Sequence, residues 1–297
     1  MSVTTDMPGR APGSAAKPLR PRRAGASRRL TRPLALAGLT LITLITLFCF
    51  LGPLLHPTDQ VRVNLTAINL APGHGHALGT DARGYDILGR LMLGGRSSLE
   101  IGAAVALLAT AFGALWGALA GLCGGFLDAL MMRTVDVLLS LPAIFILIYL
   151  ASVLTPSVPL EIAVISLLSW LGPARLIRGE TLSLRTREFV LAARAMGAGS
   201  PRIVLRHLLP NTLGTLIVNA TFQVADAILL LATLSFLGFG LPPPAASWGG
   251  MLSQGTTYLL DGYWWEVYPV GVLLMVTVIS FNLAGEGLRS ALDSRLR

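Results

Sequence analysis

"IGAAVALLATAFGALWGALAGLCGGFL", residues 101 to 127, runs for 27 residues without a charge. A helix needs about 20 consecutive apolar residues to cross the hydrocarbon core of a bilayer, so this stretch predicts a membrane-spanning helix. It also carries Gly113, Gly117, Gly121 and Gly125, a small residue at every fourth position and therefore on one face. Such a stripe lets another helix backbone approach closely in lipid. A hinge or a pore lining is the alternative use of the same glycines, and both uses place this helix inside a bundle.

Further spans follow in both directions along the chain. Uncharged runs extend from Pro33 to Thr58, Val137 to Leu160 and Val267 to Gly285. A run around Ile162 to Ile177 lies close to Glu161 and Arg175, whose heads can reach the interfaces. Another, from Thr212 to Phe236, is interrupted only by Asp226. The fold class expected is all-α: a polytopic integral membrane protein with six transmembrane helices at about 34–55, 100–124, 137–155, 161–177, 212–236 and 267–285. Composition agrees, with 53% hydrophobic and only 13% charged residues against roughly 25% charged in soluble domains. Cys49 and Cys123 both lie in apolar runs, which argues against a disulfide framework.

Six helices put both termini on one side, and arginine says which. With the termini cytoplasmic, the inner segments hold 19 Lys/Arg and the outer loops four, Arg62, Arg83, Arg90 and Arg96, as the positive-inside rule requires. The net charge of +8 therefore reflects topology and lipid contact, not nucleic-acid binding. Residues 1–33 are rich in Pro, Ala, Gly and Arg without hydrophobic periodicity and read as a disordered basic cytoplasmic tail, leaving 34–297 as the membrane domain. The apolar run after the tail exceeds the 7–15 residues of a signal-peptide core, so the first helix is expected to be retained.

Several chemistries are excluded. The one lysine, Lys17, lies in the tail, so no phosphate-cradling loop ending in Gly-Lys-Ser/Thr exists and the chain is not a P-loop ATPase. No His precedes Glu and no Ser sits in G-x-S-x-G, which removes two common hydrolase signatures. His74 and His76 are two potential metal ligands without a third, and a solvated turn is the plainer reading. No metal site and no catalytic residue is expected.

Between two oily segments lies "EFVLAARAMGAGSPRIVLRHLLPN", residues 188–211, on the cytoplasmic side of this topology. Thr186 is a plausible N-cap, Glu188 falls in the first turn, and Phe189, Ala192, Ala193 and Met196 repeat at helical spacing. Gly197 and Gly199 can end that helix, Ser200 and Pro201 can begin a second, and Pro210 marks the start of the next span. The helix-turn-helix has little core of its own beneath it and suits docking on another protein. An interfacial helix lying on lipid is the alternative, and the pattern alone leaves both open.

The same residues resemble a family. "AARAMGAGSPRIVLRHLLPN" looks like the cytoplasmic loop of binding-protein-dependent ABC importer permeases, with Ala192, Ala193, Gly197, Leu209 and Pro210 at matching positions and Leu191 where the motif has Glu. Arg206 to Asn211 resemble the "R-H-hydrophobic-L-P-N" of the peptide branch. "LGTDARGYDILGR" (78–90), with Tyr85 in place of Arg, "LSFLGFGLPPPAASWGGML" (234–252) and "FNLAGEGLRSALDSRLR" (281–297) are similar to segments of dipeptide and oligopeptide permeases of the DppC/OppC type.

The resemblance implies a non-catalytic permease subunit of a bacterial cytoplasmic-membrane importer for peptides, paired with a second homologous permease. It implies two ABC ATPase subunits that bind ATP and Mg²⁺, and an extracytoplasmic solute-binding protein. The 186–209 loop would be the coupling element, with Glu188, Phe189, Ala192, Ala193, Met196, Gly197, Arg206, His207 and Pro210 as its candidate contacts. Nickel and glutathione importers share this permease type. Asp226, an acid inside a span, is a candidate for the translocation path or a structural partner in the bundle. An ion-coupled secondary transporter is the rival from another class, and buried ionisable groups on paired broken helices would favour it.

Overall fold

The computed structural model describes residues 25–73 and 75–293. Eleven α-helices occur among them: α1 (Gly25–Leu55), α2 (Ile87–Cys123), α3 (Gly125–Ser140), α4 (Ala143–Val153), α5 (Val158–Ser169), α6 (Leu171–Leu184), α7 (Glu188–Ala195), α8 (Ser200–Ile203), α9 (Leu209–Phe236), α10 (Trp248–Tyr258) and α11 (Tyr268–Asp293). A π-helical turn, Val204–Leu208, joins α8 to α9. No strand forms among the described residues, only isolated bridges Gly73–His76 and Thr80–Asp86. Four segments are long and apolar enough to cross a membrane: Pro33–Leu55, Ile87–Cys123, Ser200–Phe239 and Trp264–Leu292. The pairs α3/α4 and α5/α6 are bent by 81° and 43°, and counting each as one span gives six.

Several expected boundaries move, each for a local reason. The helix expected at 100–124 starts at Ile87, because Asp86 caps it through a 2.8 Å bond from the Gly89 N–H and because Arg96 and Glu100 form a 2.9 Å pair one turn apart. Charges ended the apolar run but not the helix. The single helix expected at 137–155 is instead two. Leu141 precedes Pro142 and is extended, as a residue before proline prefers, so α3 starts at Gly125 and stops at Ser140. The helix expected at 161–177 runs from Val158 to Leu184 with its bend at Trp170. Pro173 cannot donate to the Ser169 carbonyl, and Gln223 of α9 supplies that bond at 2.9 Å.

The boundary expected at Thr212 vanishes, since Ser200 to Phe236 is helical throughout. Pro210 lies inside this helix, next to the π turn, and Asn211 Nδ2 donates to the His207 carbonyl at 2.6 Å, so a neighbouring carbonyl stays paired near the missing N–H. At the N-terminus α1 begins at Gly25, eight residues before the expected end of the disordered tail, over a stretch with Ala, Leu and Arg that tolerates helix. Residues 1–24 of that tail lie outside the described residues.

α2 is the central post. It packs against α1, α5, α6 and α9, while α11 lies along both α1 and α9. Near its Asp86 end, Ile87, Leu91 and Leu99 join Ile45 and Cys49 of α1, Ile228 of α9, Trp248 of α10 and Trp265 and Val270 near the start of α11. The outer-loop motif 78–90 ties this end together. Asp81 accepts from the Arg83 and Tyr85 N–H groups at 2.9 Å each, Trp265 donates to the Thr80 carbonyl, and Arg90 reaches the Pro244 carbonyl at 2.8 Å while lying over the Tyr85 ring.

Candidate functional site

The segment 186–211 folds as two helices on the Cys123 end of α2. Arg187, with extended backbone, is the N-cap of α7, whereas Thr186, the expected cap, donates to the Ser183 carbonyl. Gly197 ends the helix with φ 83°. Its N–H bonds the Arg194 carbonyl at 2.9 Å and the Ala198 N–H bonds the Ala193 carbonyl at 3.0 Å, the paired closure that a left-handed glycine permits. Gly199 is extended and α8 begins at Ser200 with Pro201 in its first turn.

Burial divides this segment differently from the expected stripe. Val190 and Ala193 are 0% and 2% exposed and pack with Ala114, Ala118 and Leu122 of α2, Ile177 of α6, and Ile203, Val204 and Leu208. Ala193 therefore belongs to the protein's own core, not to a face shared with Phe189, Ala192 and Met196, and the segment has a core beneath it after all. Both 189/192/196 and 190/193 satisfy helical spacing. The expected docking stripe of Phe189, Ala192, Ala193 and Met196 thus keeps its outward members and loses Ala193 to the core.

Outward, Glu188, Phe189, Leu191, Ala192 and Met196 are exposed, Met196 at 81%. The Phe189 ring lies 6.4 Å from that of His207, drawing α7 to the π turn. Arg206 and Pro210 are exposed on the same helical hairpin. Leu191, which replaces an acid in the resembled motif, and Glu188 both face solvent.

Arginines that no motif singled out fasten this segment to the bundle. Arg185 Nη1 donates to the Gly121 carbonyl at 3.0 Å and Arg194 Nη2 to the Leu122 carbonyl at 3.3 Å. These are among the last carbonyls of α2, which lack intrahelical donors and carry the negative end of the helix dipole. Arg178 of α6 makes two bonds, 2.6 and 2.8 Å, to Asp128 of α3, and Arg175 pairs with Asp136 at 2.5 Å. Charge sign and helix position hinted at these contacts, but only the packing of α3 on α6 chose the partners.

The glycine stripe lies where α2 meets α6. A methyl group on Gly113 would sit 2.6 Å from the Trp170 carbonyl, one on Gly117 would overlap the Ala174 carbonyl, and one on Gly121 would sit 2.8 Å from Thr181 Cβ. Gly125 departs from the stripe. It follows the reversal at Gly124, has φ 56° and faces open space.

Asp226 points out of α9 and makes no hydrogen bond or ion pair among the described residues. A charge so placed costs about 3 kcal/mol if it meets lipid. His76 Nδ1 bonds Asp86 Oδ1 at 2.9 Å while His56 Nε2 takes the other oxygen at 3.1 Å, so Asp86, the cap of α2, holds both rings. His74 lies outside the described residues. Among the described residues no group of three or more His, Cys, Asp or Glu side chains is arranged to hold a metal ion.

The described residues form an all-helical bundle with four to six candidate membrane spans and a short helical hairpin mounted on its central helix, the architecture of a multi-pass membrane protein. Comparison with known proteins specifies it. Residues 113–297 match the family described as binding-protein-dependent transport system inner membrane component, and residues 26–72 match the N-terminal transmembrane domain of oligopeptide transport permease C. The chain is 39% identical over 271 residues to the dipeptide transport system permease protein DppC of Bacillus subtilis, covering 91% of this chain and 85% of that one. It is 41% identical over 265 residues to the oligopeptide transport system permease protein OppC of Escherichia coli, covering 89% and 87%. The chain belongs to the family of binding-protein-dependent transport system inner membrane components.

Proposed function

We propose that this protein is the permease subunit of an ATP-driven importer for di- or oligopeptides. It forms half of the passage with a second homologous permease and receives cargo from an extracytoplasmic solute-binding protein. ATP and Mg²⁺ are bound by two separate ATPase subunits. In this reading the chain crosses the cytoplasmic membrane six times with both termini inside, which puts the α7–α8 hairpin in the cytoplasm.

The observation that carries the reading is that hairpin. Its inner face, Val190 and Ala193, is seated on α2 and α6, and its outer face offers Phe189, Ala192 and Met196 to solvent. A partner that grips the outer face displaces a helix pair whose Arg194 bonds the end of α2 and whose inner face packs on α2 and α6, so movement of an ATPase reaches the membrane helices through packed contacts. The names of the relatives supply the peptide cargo.

Co-expression tests the reading. The chain purified alone hydrolyses no ATP, and substrate-stimulated hydrolysis emerges when the second permease, the ATPases and the binding protein are supplied. Hydrolysis by the lone chain, or an assembled complex that takes up no peptide, would overturn it.

A further inference from the structure

α9 carries a line of polar side chains along one face of a largely apolar span. Thr215, Asn219, Asp226 and Thr233 are spaced by four, seven and seven residues, which puts all four within about 40° of one another around the helix and spreads them over roughly 27 Å of its length. That length is close to the thickness of the hydrocarbon core, about 30 Å. Exposed Leu213 and Ile217 lie on the opposite side, so α9 has one face suited to lipid and one that is not.

The polar line has unmet bonding capacity. Among the described residues, Asn219 Oδ1 is buried from solvent yet has no hydrogen-bond partner, and exposed Asp226 has no ion-pair partner. Thr233 bonds only back to the Leu229 carbonyl. Thr215 is bonded to Glu180 of α6, and Gln223, one step round the helix, bridges to the end of α5. The line therefore borders the α5/α6 pair. Asp226 is also the one formal charge between Arg206 and Asp261.

We propose that Thr215, Asn219, Asp226 and Thr233 line a water-filled passage and that the Asp226 carboxylate receives the ammonium group of the cargo, such as a peptide N-terminus. This rests on the peptide-permease reading above. Water along the line supplies the bonds that lipid cannot, the amide and hydroxyl groups exchange bonds with a moving peptide backbone, and Asp226, whose carboxylate has no ion-pair partner among the described residues while Glu180 is tied to Thr215, attracts a cationic end.

The test uses the assembled complex, with exposed Cys123 replaced by Ala and buried Cys49 left in place. Asn219→Cys and Thr233→Cys are expected to react with water-borne methanethiosulfonate reagents, and Ile217→Cys is expected not to. At Thr233→Cys a cationic reagent should outpace an anionic one by about tenfold, and adding Asp226→Asn should abolish the preference. Asp226→Asn should also lower uptake of dialanine about tenfold while Asp226→Glu restores most of it.

Failure of the line to label, a charge preference indifferent to Asp226→Asn, or unchanged dialanine uptake in that variant would overturn the proposal. Loss of the second permease from purified Asp226→Asn complex would also overturn it, making Asp226 an intersubunit contact. In each of these cases, substrate-stimulated ATP hydrolysis by the parent complex would leave the importer reading standing.

Discussion

Arg185 donates from Nη1 to the Gly121 carbonyl at 3.0 Å, joining the end of α6 to the last turn of α2. Arg194, from the far side of α7, reaches the next carbonyl, Leu122. Arg194 of α7 and Arg185, at the end of α6 just before the hairpin, thus place two cations on one helix C-terminus. Charge–dipole and hydrogen-bond terms of this kind are worth about 0.5–2 kcal/mol each. Arg185→Ala and Arg194→Ala are expected to lower the thermal midpoint of the purified chain, and the double variant to uncouple hydrolysis from uptake in the complex. Full coupling in the double variant would show that force does not pass through these carbonyls.

The two faces of α7 separate docking from folding. Met196→Asp and Ala192→Asp place a charge on the outer face, so the permease stays folded while ATPase co-purification falls. Ala193→Asp buries an unpaired charge in the core shared with Leu122 and Leu208, at several kcal/mol, so the chain itself is lost from the membrane. Parallel measurements of membrane yield and ATPase co-purification check the contrast. Equal yields for Ala192→Asp and Ala193→Asp would refute the assignment of faces.

Gly117→Leu and Gly121→Leu drive a side chain into α6, where overpacking costs about 1–3 kcal/mol or more because backbone must move. Gly125→Ala meets no neighbour and is penalised only by its positive φ, by about 1 kcal/mol. Thermal unfolding in detergent should therefore rank the first two well below the third. A similar loss at all three positions would mean that helix contact is not what these glycines serve.

Asp128 and Arg178 share a two-bond ion pair, and the Asp128 side chain is largely buried. Removing either partner strands the other and costs about 1.5–3 kcal/mol. Asp128→Asn and Arg178→Gln are each expected to destabilise the α3–α6 contact, with the double variant less unstable than the sum of the two. Strict additivity in a double-mutant cycle followed by thermal unfolding would argue that the pair is energetically idle.

Much of the fold was legible in the chain because membranes impose a simple rule: long uncharged runs must be helical. The apolar run from residue 101, with Gly113, Gly117 and Gly121, announced a closely packed helix with no other information, although the run outlasts the helix, which ends at Cys123. The position of the α7–α8 hairpin, the left-handed Gly197 and the Ser200–Pro201 start were also readable, since they depend on neighbours a few residues away. Family membership could be read from short motifs spread over most of the chain.

What the sequence by itself determined, then, is the membrane character of the chain, its helical content and the position of the α7–α8 hairpin along it, all properties of local composition. Tertiary structure decided the rest. Only packing could choose between the 189/192/196 and 190/193 faces of α7, because both satisfy the same helical period. The break at Leu141–Pro142 and the helix that runs through Pro210 have local causes, an extended residue before one proline and the Asn211 side chain beside the other; at the Trp170 bend the carbonyl that Pro173 cannot reach is bonded by Gln223 of another helix, which is a tertiary choice. The pairings of Arg185 with Gly121, Arg178 with Asp128 and Gln223 with Ser169 join residues at least 50 positions apart, and no local pattern encodes which partner a long side chain will meet.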